Sequence, residues 1–78
     1  MDSKKFSMMI YVKAHSLCTK IVNYFGISYE EAMNRLYNSK LYGKLEIEKN
    51  KMWYFSSYDL FQMFIEEQQI GDFTVYGG

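Results

Sequence analysis

A chain of 78 residues has room for one domain, and one this short buries a smaller share of its surface than a larger protein does. Nine basic and nine acidic residues cancel to a formal charge of zero, so no overall field favours nucleic acid or an anionic membrane. The single cysteine, Cys18, excludes an internal disulfide. With no secretory leader, it implies a reducing, cytoplasmic setting. The apolar run Met8 to Val12 is cut by Lys13, His15 and Ser16 and falls well short of the about 20 apolar residues of a membrane span, so no membrane association is expected.

Aromatic residues make up 19% of the chain, as eight Tyr, six Phe and one Trp, more than a core of this size is expected to enclose. Tyrosine and tryptophan combine apolar bulk with a polar tip and are enriched in protein interfaces, so the surplus points to a partner. An aromatic-rich core is the competing explanation. The charges are also unevenly placed. Lys4, Lys5, Lys13 and Lys20 face only Asp2 in the first segment, whereas Asp59, Glu66, Glu67 and Asp72 stand without a base after Ser57.

In chain order, Lys13, Ser16, Lys20 and Asn23 recur at three- and four-residue steps and mark a hydrophilic stripe on a helix over Phe6 to Phe25. Ile10, Ala14, Leu17, Ile21 and Phe25 form its core ridge, which Met9, Val12 and Val22 widen, so this helix is expected to be central. Gly26 ends it, because glycine tolerates the left-handed conformation after a helix. Ser28-Tyr29-Glu30-Glu31 reads as a capping box, with Ser28 accepting from the Glu31 amide and the Glu31 carboxylate reaching back to the Ser28 amide. Tyr29, Ala32, Met33, Leu36 and Tyr37 then line one apolar face of a second helix.

Ser39 caps a short third helix carrying Leu41, Tyr42 and Leu45, which Gly43 weakens. The segment 46–55 is either a small β-hairpin or a loop with an extended piece around Trp53, and the loop is preferred. Ser56 or Ser57 with Asp59 starts a last helix with the apolar stripe Leu60, Phe61, Phe64 and Ile65, Met63 beside it and Gln62, Glu66, Glu67 and Gln69 outside, closed by Gly71. Asp72 to Gly78 is a short strand through Phe73, Val75 and Tyr76 or a flexible tail. The expected fold is therefore mainly α, a single domain over 1–78 with a small bundle of three to four helices.

Candidate chemistry is sparse. His15 and Cys18 lie three apart on one helical face, the spacing of a metal or thiol-base pair, but one His and one Cys fall short of the four ligands of a structural zinc site. Adjacent carboxylates such as Glu30-Glu31 and Glu66-Glu67 point in different directions on a helix and cannot converge on one reacting atom, so the second pair reads as a solvated face. No phosphate loop or catalytic triad spacing appears, and neither enzyme activity nor a cofactor or metal is expected. The second and third helices with a hairpin tipped by Lys49-Asn50-Lys51 would form a winged helix-turn-helix, with Lys40, Lys44, Lys49 and Lys51 as phosphate contacts. Zero net charge and a single arginine, Arg35, weigh against nucleic acid. The terminal Gly77-Gly78 is shared with ubiquitin-like tails, but the helical pattern disagrees with that β-rich topology.

Ile27-Ser28-Tyr29-Glu30-Glu31-Ala32, followed by Leu36-Tyr37-Asn38-Ser39-Lys40-Leu41-Tyr42 and Leu45, resembles a pattern in a family of small uncharacterised bacterial proteins. Lys51-Met52-Trp53-Tyr54-Phe55-Ser56 and the helix from Tyr58 continue it, so that about half the chain is covered. That family sits in accessory gene neighbourhoods of toxin-antitoxin type, which implies a small regulatory or antitoxin-like protein with a protein partner and supplies no catalytic residues. The sequence as a whole favours a non-enzymatic interaction domain that binds a protein or forms a homo-oligomer. Tyr37, Tyr42, Trp53, Tyr54 and Tyr58 are its expected contacts.

Overall fold

A computed structural model describes residues 2–73 and shows an all-α architecture of four helices with no strand among the described residues. Helix α1 runs Ser3–Phe25, α2 Tyr29–Tyr37, α3 Lys40–Leu45 and α4 Ser57–Ile70; two 3-10 turns, Glu48–Asn50 and Met52–Tyr54, join α3 to α4. The strand or tail expected at the C-terminus lies outside the described residues beyond Phe73.

Each helix begins on a short polar side chain that accepts from a backbone amide otherwise left without a partner. Asp2 accepts from the Lys4 amide, Ser28 from Glu31, Ser39 from Tyr42 and Ser56 from Asp59. Only half of the expected capping box forms, because the Glu31 carboxylate accepts instead from the Arg35 guanidinium at 3.0 Å. Gly26 and Gly71 end α1 and α4 at φ 67° and 81°, a region closed to most side chains.

The core is the junction of all four helices. Leu17 and Ile21 of α1, Leu36 of α2, Leu41 and Leu45 of α3, and Leu60, Met63 and Phe64 of α4 are excluded from solvent. Helix α1 packs between α2 on one flank and α4 on the other.

Segment 46–55 is neither a hairpin nor extended at Trp53. Met52 is buried and Trp53 and Phe55 are half-buried against the core, whereas a strand would send neighbouring side chains to opposite faces. A 3-10 turn places them inward together. Lys51, at φ 58°, makes the reversal between the two turns. The Trp53 indole Nε1–H donates to the Glu48 carbonyl at 3.0 Å, and Asn50 Nδ2 donates to the Lys44 carbonyl at 3.2 Å.

Two charged side chains assigned to solvent are structural. The Lys13 ammonium donates to the Phe55 carbonyl at 2.7 Å and ties the connection to α1. Glu67, only 9% exposed, turns its carboxylate onto the amides at the start of α3.

Candidate functional site

Because Lys13, Ser16 and Lys20 are half-buried, Lys13 on the Phe55 carbonyl and Lys20 in a groove with Tyr58 and Phe61 of α4, they are not the outer face of α1. That face carries Met8, Tyr11, Val12, His15 and Thr19, at positions i, i+3, i+4, i+7 and i+11 of the helix. Met8 is 62%, Tyr11 75% and Val12 63% exposed. Val12 therefore does not widen the core. An apolar stripe occupies the position where an amphipathic surface helix ordinarily presents charge.

Helix α2 extends this surface on one side. Tyr29 and Tyr37, two turns apart, are both exposed, and the Tyr29 hydroxyl lies 2.9 Å from His15 Nδ1 with the rings tilted at 5.7 Å between centroids. Tyr37 meets Tyr42 of α3 with ring centroids 4.8 Å apart. Between these tyrosines and the first half of α1 lies a groove of about 280 Å³, lined by Phe6, Ile10, Tyr11, Tyr37, Tyr42 and Glu46 among others.

The electrostatics follow from partial burial. The Tyr42 phenol is pushed up, first by burial and then by the Glu46 carboxylate, with Tyr37 and Cys18 adding to it. Tyr29 is also raised, first by partial desolvation and then by Cys18, Tyr11 and Tyr37. Both phenols therefore stay neutral hydrogen-bonding groups at neutral pH.

Of the five expected aromatic contacts, only Tyr37 and Tyr42 belong to this surface. Trp53 and Tyr54 stand in the second 3-10 turn, 6.0 Å apart between ring centroids, with Tyr54 81% exposed and Trp53 half-buried. Tyr58 lies on α4 and lines a separate groove with Tyr24, Phe61 and Lys20. The five do not form one patch. Tyr11 and Tyr29, which do join Tyr37, were legible as tyrosines at helical spacing but not as outward ones, since the orientation of α1 is set by where α4 packs.

The four lysines of the nucleic-acid reading are divided as well. Lys40 donates through Nζ to the Gly71 carbonyl at 2.8 Å, and the Lys44 ammonium sits 5.1 Å from the centre of the Phe73 ring. Lys49 and Lys51 are exposed on the 3-10 turns, where no wing is formed. His15 engages Tyr29, while Cys18 is buried and its thiol is pushed up by that burial. No three His, Cys, Asp or Glu side chains gather into a metal-binding group among the described residues, and no helix there is long and apolar enough to cross a membrane.

No protein-family model matches the chain, and comparison with curated proteins and with solved structures returns no significant match.

Proposed function

We propose that this protein is a non-enzymatic interaction domain, regulatory or antitoxin-like in kind, that binds a protein partner through the outer face of α1 and the adjoining tyrosines of α2 and α3. The carrying observation is the apolar stripe Met8–Tyr11–Val12 on the solvent side of the longest helix. Fully covering an apolar side chain contributes about 1.5–3 kcal/mol, against about 0–1 kcal/mol for an exposed ion pair, so this stripe has more to gain from a partner than any charge cluster on the molecule. Contiguous exposed apolar surface of this kind commonly marks an interaction site.

The nucleic-acid reading has less support, since Lys40 and Lys44 are engaged with the end of α4 and segment 46–55 offers no wing.

Affinity purification from the source cells, with the wild type and with a Tyr11→Ser/Val12→Lys variant, tests the proposal. A protein, or a second copy of the chain, recovered in fixed ratio with the wild type and lost with the variant is the expected result. Equal recovery by both, or recovery of neither a partner nor a second copy, overturns it.

A further inference from the structure

The groove between α1, α2 and α3 combines aromatic walls with one negative charge. Its walls include Tyr11, Tyr37 and Tyr42, and Glu46 is the single charged residue lining it among the described residues. Glu46 follows α3, with its backbone amide donating to the Tyr42 carbonyl at 3.0 Å, and its carboxylate is exposed and in no ion pair among the described residues. Its charge is close enough to the Tyr42 hydroxyl to raise that phenol. An apolar ligand would leave this carboxylate beside a dry wall without a counter-charge, and an anion would be repelled. A cation satisfies both parts of the lining, because tyrosine faces attract positive charge through the ring quadrupole and the carboxylate pairs with it.

Building on the interaction reading above, we infer that this groove receives an arginine side chain of the protein partner, packed against the touching Tyr37 and Tyr42 rings and paired with Glu46. The planar guanidinium stacks on rings and forks onto a carboxylate, a combination that a compact ammonium reproduces poorly. The chain already holds its own guanidinium this way. Arg35 lies 5.2 Å from the centre of the Phe25 ring and 3.0 Å from Glu31. Arg35 is also the only arginine in the sequence, and it is occupied, so the arginine that enters the groove comes from a different protein rather than a second copy.

The test titrates the full chain with the blocked tripeptide Gly-Arg-Gly and with counterparts carrying lysine or citrulline, following the tyrosine ring signals by NMR. Saturable shifts at Tyr37 and Tyr42 with arginine are expected, with weaker binding of lysine and none of citrulline. Glu46→Gln, an exposed substitution that leaves the fold in place, should weaken arginine binding about tenfold. No saturation, equal response to citrulline or lysine, or an unchanged affinity in Glu46→Gln overturns the inference. The two readings also separate in the purification experiment. A partner lost with Tyr11→Ser/Val12→Lys but retained by Glu46→Gln removes the arginine site and leaves the interaction face standing, whereas retention by both variants removes both.

Discussion

The Glu67 carboxylate accepts from the backbone amides of Lys40 at 2.8 Å and Leu41 at 3.0 Å, so that α4 caps α3 from across the bundle. With Ser39 accepting from Tyr42 at 3.1 Å, the first three amides of α3 are all satisfied. A helix of six residues is too short to hold itself together and depends on such external partners. Glu67→Ala would leave both amides without a partner in a site that excludes most water, at a cost of roughly 2–4 kcal/mol. Glu67→Gln keeps one acceptor and should lose about half of that. Urea unfolding measures the loss, and hydrogen exchange at the Lys40 and Leu41 amides should accelerate more than exchange in α1.

Gly43 gives the opposite expectation. It occupies the interior of α3, and a Cβ there would meet nothing within 4 Å. Replacing it with alanine removes the entropic cost of a helical glycine without a clash, so Gly43→Ala should stabilise the protein by about 0.5–1 kcal/mol. Gly26→Ala also meets open space, but its φ of 67° is strained for alanine and should cost about 1 kcal/mol. Thermal melts of the two variants should therefore move in opposite directions.

The four helices were legible because their signals are local. Ser28, Ser39 and Ser56 stand where a cap must stand, and Gly26 and Gly71 where a helix must stop. What escaped the sequence is set by contacts across the chain. Lys13 and Glu67 look like surface charges at helical spacing until Phe55 and the start of α3 are brought to them, 42 and 27 residues away. The same holds for the site. Tyr37 and Tyr42 were expected as contacts and do lie on this surface, but Met8, Tyr11 and Val12 were indistinguishable from core residues, because α1 is apolar over most of its circumference and only its packing against α2 and α4 decides which side remains open.

Stability should fall in alkali in a defined window. Burial raises the Cys18 thiol above its ordinary 9.0, and the Tyr42 and Tyr29 phenols are raised above 10.0. The folded protein holds these protons more tightly than the unfolded chain does. Their contribution is therefore fully present below the unfolded values and is lost as pH rises through the folded ones. The urea midpoint should be flat with respect to these groups well below 9.0, and decline above it as first the thiol and then, above 10.0, the phenols would ionise in the unfolded chain. Cys18→Ala should delay the onset of the decline, and Tyr42→Phe should reduce its later part. A midpoint with the same alkaline profile in both variants would assign the loss to other groups. The protonated, buried thiol should also alkylate slowly at neutral pH, and faster only as urea opens the fold.

Stability and association should come apart on the outer face of α1. Met8, Tyr11 and Val12 are mostly exposed, so replacing them with polar residues removes little that the folded monomer needs. Surface substitutions away from structural contacts ordinarily stay within about 0.5 kcal/mol, and Tyr11→Ser/Val12→Lys should leave the unfolding midpoint nearly unchanged while abolishing partner recovery. Leu17→Ala, on the opposite side of the same helix and fully buried, should do the reverse. It should cost about 2–5 kcal/mol of stability while the fraction that remains folded still binds, because the residue touches no surface. A substantial loss of stability in the Tyr11→Ser/Val12→Lys variant would mean that the apolar stripe supports the monomer itself, and its retention on the surface would then need no partner.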